Sequence, residues 1–519
     1  MTSTHQSAHQ SAHDAPKESA HGPVDQAADQ AVDRFESLDP ATGAVVGRFP
    51  VHDQAAVRAA VDQARTAAGW WTELGFEGRA QRLREWKAIL ARRMPVLADL
   101  IHRETGKPVD DALLELVLVV DHLDWAARHA AKVLGRRRVS PGMLMVNQAA
   151  TVEYVPYGVV GVIGPWNYPA FTPMGAIAYA LAAGNAVVFK PSEYTPAVGT
   201  WLADTFAEVV PERPVFQVVT GLGETGAALC GAGVDKLAFT GSTATAKKVM
   251  ATCAQTLTPV LVECGGKDAL VVDADADLSA AADAALWGGM SNAGQTCVGV
   301  ERVYVVESVY DEFVGMLVER AGQVRPGEDR EASYGPMTMP GQCEVVRRHI
   351  TDALDRGARA VLGGPESVRP PYVDPVILVD VPEDALAVQE ETFGPTLTVT
   401  RVRDVDEAIA RANGTRYGLA AAVFARRRGE EIARRIRAGM ASVNSVIAFA
   451  AVPGLPFGGV GDSGFGRVHG PDGLREFARA KAITRQRFAP PVLVTSFRRA
   501  ERGFARMVSG IQALHGRRS

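Results

Sequence analysis

The sequence predicts an α/β protein built on parallel sheets, and three observations carry the prediction. Short apolar strands alternate with helices through residues 159–254 and again after Cys297. That alternation lays a parallel sheet between helical layers. No charged residue occurs from Tyr154 to Phe189, as expected of segments buried on every side. The chain has 519 residues, 47 % hydrophobic and 22 % charged, enough for two or three domains of ordinary globular composition.

Residues 1–33 are low complexity, with His5, His9, His13 and His21 among Gln, Ser and Ala. A weak metal-binding tail and a disordered leader both fit; the lack of anything to bury favours the leader. A strand and turn begin at Phe35–Gly43. Residues 54–135 are helical: apolar positions recur at helical spacing through Ala55–Ala68 and Ala80–Leu100, and Trp70 and Trp71 pack between them. The first alternating block follows. Its strands are Val159–Ile163, Ala186–Phe189, Val215–Val219 and Lys236–Phe239; its helices are Gly175–Ala183, Gly199–Val209 and Ala244–Ala254. The second block has strands at Val303–Val306, Ala360–Leu362, Leu397–Arg401, Ala421–Phe424 and Ala441–Val443. Its helices are Tyr310–Arg320, Glu344–Arg356, Val405–Ala412 and Gly429–Ile436.

A membrane span is the rival reading of the charge-free run. Pro165, Pro169 and Pro173 interrupt it and Asn167 and Asn185 lie in it, which fits a buried core with a functional turn. The N-terminus is polar and shows no apolar signal segment. A net charge of −4 gives no reason to expect nucleic acid. The five cysteines are odd in number and widely spaced, without a metal-ligand pattern. They read as a reduced, cytoplasmic protein without disulfides or structural metal.

The chemistry gathers around Asn292-Ala-Gly-Gln-Thr-Cys297, where a small polar stretch can expose and aim one thiol. Upstream lie Glu263-Cys264-Gly265-Gly266-Lys267 and Pro165-Trp166-Asn167-Tyr168. A nucleophile, a carboxylate and an amide donor are the parts needed for acyl chemistry through a thioester. For a phosphate-bearing cofactor there are two glycine turns. Gly221–Gly226 matches GxGxxG, but no acid follows at the usual distance, and Asp235 comes too soon. Gly241-Ser242-Thr243 is the better candidate. It follows one strand and opens a helix, so Gly241 permits close approach while Ser242 and the helix N-terminus offer donors.

These segments resemble the NAD(P)-dependent aldehyde dehydrogenase superfamily. The resemblance runs from about Pro165 to Arg467. It rests on Pro165-Trp166-Asn167-Tyr168-Pro169, Lys190-Pro191-Ser192-Glu193, Phe239–Thr243, Glu263 with Gly265–Lys267, Gly294–Cys297, Glu391–Pro395 and Pro456–Gly459, in that order. It implies the aldehyde dehydrogenase fold: a Rossmann-like cofactor domain (34–137 and 157–265), an α/β catalytic domain (266–470), and a β oligomerisation arm (138–156 and 478–490). Strands at Leu144–Val146, Val152–Val155 and Ala482–Phe488 would build the arm, so a homodimer or homotetramer is expected.

The resemblance also assigns roles. The Cys297 thiolate attacks an aldehyde; the Asn167 side chain and the Cys297 N–H hold the oxyanion; Glu263 activates the water that releases the acid. CoA-acylating relatives typically lack that glutamate, so hydrolysis is expected over transfer to CoA. Trp166, Lys190, Glu193, Gly241, Ser242, Glu391 and Phe393 are implied as cofactor contacts, with Lys190 and Glu193 on the adenosine ribose. A carboxylate there repels a 2′-phosphate, which favours NAD and leaves NADP as the alternative. Two departures stand out: Ala246 where a further glycine is frequent, and Cys264 where leucine is usual.

The loop Ser445–Leu455 is almost wholly apolar and holds no arginine to pair with a substrate carboxylate. It resembles the class-3-like branch, and Phe171, Phe449, Leu455 and Phe457 are expected to line an apolar tunnel. The substrate is therefore a small-molecule aldehyde of hydrophobic type, aliphatic or aromatic. Succinate semialdehyde is the alternative, with Arg302 among the more distant arginines that could bind its carboxylate. The tail 491–519 is basic and amphipathic, with Arg498, Arg499, Arg502, Arg506, Arg517 and Arg518 against Glu501. Packing on a subunit and peripheral membrane contact both fit it; packing is favoured.

Overall fold

A computed structural model describes residues 33–489, 496–498 and 501–516. The predicted leader therefore lies outside the described residues except for Asp33, as do Arg499, Arg517 and Arg518 of the tail. The chain opens with a hairpin, β1 (Arg34–Leu38) and β2 (Val45–Pro50), and four helices: α1 (Gln54–Glu73), α2 (Gly75–Arg92), α3 (Met94–Thr105) and α4 (Val109–Leu134). The Asp53 side chain caps α1 by accepting from the Ala56 N–H, and Val57, Val61, Ala64, Ala68 and Trp71 turn one face of that helix inward. Next come the short β3 (Arg137–Val139) and the long β4 (Gln148–Pro156).

The first parallel block is β5 (Val159–Ile163), α5 (Phe171–Ala183), β6 (Ala186–Lys190), α6 (Pro196–Val209), β7 (Phe216–Val218), α7 (Gly223–Gly231), β8 (Lys236–Gly241), α8 (Thr243–Ala254) and β9 (Val260–Cys264). Its strands pair in the order β9-β8-β5-β6-β7. The order reverses at β5, so a crevice opens beyond the carboxyl ends of β5, β6 and β8, where open α/β sheets bind ligands.

The second block begins with β10 (Asp268–Val272), α9 (Leu278–Met290), β11 (Val300–Val306), α10 (Glu307–Ala321), α11 (Gln342–Asp355) and β12 (Arg359–Leu362). The small hairpin of β13 (Val368–Arg369) and β14 (Tyr372–Val373) follows. Then come β15 (Val376–Val379), α12 (Leu386–Gln389), β16 (Thr396–Val402), α13 (Val405–Ala412), β17 (Ala420–Phe424), α14 (Gly429–Arg435) and β18 (Met440–Val443). The sheet order is β12-β15-β16-β11-β10-β17-β18, parallel except for the β12 edge. Separate apolar clusters cover its two faces.

After β18 the chain returns to the first sheet. β19 (Gly464–Phe465) adds antiparallel to β9, and α15 (Gly470–Glu476) follows. Phe457, Val468, Leu474 and Phe477 are buried in the first core. Leu419, Met440 and Phe449, earlier in the chain, belong to the same core. β20 (Ala478–Gln486) then pairs with β4, and β4 with β3, in a three-stranded antiparallel sheet. Leu144–Val146 is not a strand of that sheet. Gly142 at φ +71° starts an exposed 3-10 turn over Met143–Met145, which takes the chain out of extended geometry. The last helix, α16 (Glu501–His515), has no buried residue.

Candidate active site

The loop from β5 into α5 carries Asn167, and the loop from α9 into β11 carries Cys297; the two meet between the sheets. Asn292, Ala293 and Gly294 all adopt positive φ (52°, 56° and 70°), an unusual run that stores strain at the turn. A side chain at position 294 is barred, because a Cβ there would stand 2.1 Å from the Gly394 carbonyl oxygen. The turn is held by amides. Asn167 Nδ2 donates to the Gln295 carbonyl at 2.9 Å, and Asn292 Nδ2 donates to the same oxygen and to the Asn167 carbonyl, each at 3.1 Å. One of the two Asn167 amide hydrogens is thereby used. The hydroxyls of Tyr168 and Thr296 join the loops at 2.9 Å.

Cys297 is partly exposed, whereas the other four cysteines are buried and unpaired. Its thiol opens on two spaces. The inner one, of about 20 Å³, is lined by Glu263, Thr240, Cys264, Phe171, Phe457 and His469 among others, and a volume of that order admits one water. Glu263 Oε1 is buried without a partner. Burial pushes the Glu263 carboxyl up to about 8, against a smaller opposing pull from Arg467 and a hydroxyl contact from Thr240. Burial also raises the Cys297 thiol above its ordinary range, and Glu263 and Glu391 add to the effect. A carboxyl of that pKa beside a thiol and room for one water can act as a general base near neutral pH.

The second space is the tunnel to solvent, with Leu114, Leu118, Phe171, Trp287, Ile447 and Phe457 on its walls. Phe171 and Phe457, two of the four residues proposed for the substrate, are thus on the wall. Phe449 is buried behind Phe457, with ring centroids 6.2 Å apart. Leu455 is 45 % exposed and absent from the wall. The turn at Ala448–Ala451 points Ile447 and Ala450 inward and carries Leu455 past the tunnel to the surface. Arg302 is buried, and its guanidinium donates to the carbonyls of Lys267, Arg411 and Ala412. It is engaged in holding backbone and does not line the tunnel.

On the other side of Cys297 lies the crevice at the sheet reversal, a space of about 520 Å³. It gathers Trp166, Lys190, Glu193, Gly241 and Ser242. Ser242 caps α8 by accepting from the Thr245 N–H. Lys190 Nζ stands 3.5 Å from Glu193 Oε2. Gly223 and Gly226 of the GxGxxG match also line the crevice, at the start of α7 and within its first turn. A dinucleotide fits this shape: a helix N-terminus for phosphate, a Lys–Glu pair for hydroxyls, and a slot between α7 and α8.

Glu391 and Phe393 are not among the residues lining the crevice; Phe393 adjoins it through Trp166. Glu391 Oε1 accepts from the Gly266 N–H at 3.1 Å, and a Cβ on Gly265 would come within 1.8 Å of that oxygen, so a larger residue at 265 must displace the carboxyl. The Phe393 and Trp166 rings meet edge to face at 5.6 Å. Burial pushes the Glu391 carboxyl up to about 8. The loop is anchored by a buried ion pair between Lys267 and Glu301. Glu301 accepts from the N–H groups of Thr392 (2.9 Å) and Phe393 (3.1 Å). Sequence reasoning missed Glu301 and left Lys267 without a role, since neither position signals which loop it will meet.

The whole arrangement is that of a dehydrogenase acting on carbonyls. A sequence model of the aldehyde dehydrogenase family matches residues 27–483, and the chain belongs to that family. It is 39 % identical over 446 residues to a 4,4′-diapolycopene aldehyde oxidase of Methylomonas, covering 85 % of this chain and 84 % of that protein. It is 36 % identical to the glutarate-semialdehyde dehydrogenase of Pseudomonas aeruginosa, over 86 % of this chain and 92 % of the relative. Lactaldehyde dehydrogenase of Escherichia coli superposes with a TM-score of 0.84 at 31 % identity, over 88 % and 96 % of the two chains. The chain is an NAD(P)-dependent aldehyde dehydrogenase, oxidising aldehydes to acids.

Proposed function

We propose that this enzyme oxidises neutral, apolar aldehydes, with Cys297 as nucleophile, Asn167 and the Cys297 N–H as oxyanion donors, and Glu263 as the base for hydrolysis. The observation that carries the substrate class is the tunnel, whose walls are mostly apolar and hold no unpaired cation among the described residues. The Methylomonas relative is named for a carotenoid aldehyde, in keeping with such a wall. Several other relatives are named as succinate- or glutarate-semialdehyde dehydrogenases, which makes a carboxylate-bearing aldehyde the second reading. Glu263 stands against CoA acylation, because water activated by a base competes with a thiol acceptor.

Addition of the Cys297 sulfur to the carbonyl carbon puts negative charge on oxygen, which the two N–H donors stabilise. A nicotinamide dinucleotide supplies the hydride acceptor when bound. Glu263 then takes a proton from the water that attacks the thioester, and the acid leaves. Glu193 favours NAD over NADP by repelling a 2′-phosphate. β3 is fully exposed and β20 nearly so. Such strands favour pairing with another subunit, so a homodimer or homotetramer is part of the proposal. Five thiols without a disulfide suit the cytoplasm.

The test is NADH formation from short aliphatic, long aliphatic and aromatic aldehydes and from succinate semialdehyde, with wild type and Cys297→Ala. Turnover of the apolar members, lost in the variant, is expected. A preference for succinate semialdehyde would overturn the substrate class, and activity surviving in Cys297→Ala would overturn the mechanism.

A further inference from the structure

One helix face supplies much of the tunnel wall. Asp111, Leu114, Glu115 and Leu118 stand one turn and two turns apart on α4, and all four line the tunnel together with Lys107 just before the helix. Lys107 is the one cation on that wall. Its ammonium is fully committed: Nζ lies 2.6 Å from Glu115 Oε2, with both side chains at 0 % exposure, and 3.8 Å from the centre of the Tyr168 ring. Glu115 is committed too. Its other oxygen accepts from the N–H groups of Ala170 (2.9 Å) and Phe171 (3.0 Å), which fixes the start of α5 behind Asn167.

Asp111 is different. It lines the same space, but its carboxyl makes no hydrogen bond or ion pair among the described residues. Lys107 is bound to Glu115, so Asp111 feels it only at a distance, with the N-terminal turn of α4 as its other support, and the three side chains together leave the tunnel a net negative charge. Burial and the neighbouring Asp110 raise its pKa, while Lys107 pulls it down. The other polar atoms on the wall include the hydroxyl of Ser291, buried without a partner, and the hydroxyl of Thr296, tied to Tyr168. Neutral hydroxyls can greet an uncharged chain, but they do not balance an anion. A carboxylate in the first turn of a helix is tolerated there by the helix end, and one on a tunnel wall without a cation of its own repels a second carboxylate.

We propose that Asp111 sets the charge selectivity of the tunnel by excluding aldehydes whose far end carries a carboxylate. The inference rests on the apolar-aldehyde reading above and gives it a residue. Specificity here comes from a repulsive group as well as from apolar contact.

The test compares kcat/KM for pentanal and 5-oxopentanoate, which are matched in chain length, and for the methyl ester of 5-oxopentanoate, in which the charge is removed. Wild type and Asp111→Asn are assayed at pH 8 and low ionic strength. Wild type is expected to favour pentanal over 5-oxopentanoate by about a hundredfold or more. Asp111→Asn should narrow that ratio about tenfold, chiefly through a lower KM for 5-oxopentanoate, with the pentanal-to-ester ratio unmoved. Asp111→Ser gives the same readout should the asparagine variant fail to fold. An unchanged pentanal-to-oxopentanoate ratio in the variants, with wild type still favouring pentanal, would overturn the role of Asp111 alone. A wild type that prefers 5-oxopentanoate would overturn the apolar reading itself.

Discussion

Replacing Glu263 by glutamine separates two consequences of one buried carboxyl. Its pKa stands at about 8 against an ordinary 4.5, chiefly because burial removes it from water. The folded protein therefore holds a proton that the unfolded chain has lost across that interval. Stability from this group is fully present below about pH 4.5 and drains away as pH rises through 8. At 1.36 kcal/mol per pH unit the gap corresponds to about 5 kcal/mol. Glutamine keeps the shape and cannot ionise. Glu263→Gln should thus melt close to wild type at pH 5 and roughly 5–10 °C above it at pH 9. Kinetically the variant should release about one equivalent of NADH per active site in a burst, then turn over 10²- to 10⁴-fold more slowly, because acyl-enzyme accumulates. Wild-type turnover should climb with pH to a plateau above about 8. Equal melting offsets at pH 5 and pH 9 would refute the buried-carboxyl argument, and undiminished steady-state turnover would move the base elsewhere.

Gly265→Ala should displace the Glu391 carboxyl, which lies 1.8 Å from the new methyl position; the expected result is a KM for NAD raised about tenfold, with Cys297 still titrated by a thiol reagent. Lys267→Met leaves Glu301 buried and unpaired, at a cost of about 3–5 kcal/mol read as a lowered denaturation midpoint, and Lys267→Met with Glu301→Gln should cost less than the two single changes together. Glu193→Gln should raise the NADP-to-NAD ratio of kcat/KM about tenfold, measured with one aldehyde at saturation; an unmoved ratio would remove Glu193 from cofactor choice.

The pieces that sequence shows best are those whose local pattern is self-sufficient. The strands β5, β6 and β8 are continuous apolar runs and the helix α8 begins at a capping serine, so the crevice at Gly241-Ser242 is legible from the chain alone. The turn before Cys297 is legible as a run of small residues, with Gly294 at a left-handed position that glycine adopts without strain. Side chains that face the tunnel are less legible. Leu455 and Ile447 are equally apolar in sequence, yet the Ala448–Ala451 turn sends one to solvent and the other to the wall. Glu115 and Asp111 look like solvated positions on a charged helix, and only the packing of α4 against α5 turns them inward. The Lys267–Glu301 pair joins residues 34 positions apart and acts on a loop some 90 positions further on. No local pattern could announce it.

Charge balance ties these features together. Cys297 and Glu263 line one small space and Glu391 acts on the thiol from beside it; all three are acids raised chiefly by burial. The thiol feels both carboxyls, so ionising any one group makes the next harder to ionise. The nearby cations are engaged or distant: Lys267 is bound to Glu301, and Arg467, which lowers Glu263, donates to the carbonyls of Gly459 and Gly466. The chain thus favours a neutral resting site in which thiol and carboxyls keep their protons. On the proposed reading this suits a reaction whose negative charge must appear on the substrate oxygen and be met by fixed N–H donors at that moment. A permanent cation beside Cys297 would hold the thiolate too well and weaken it as a nucleophile. The same economy of positive charge runs out along the tunnel, where Lys107 is spent on Glu115. A carboxylate-bearing aldehyde would therefore meet the Asp111 carboxylate on the wall with no free cation to offset it, whereas a neutral aldehyde feels no such repulsion.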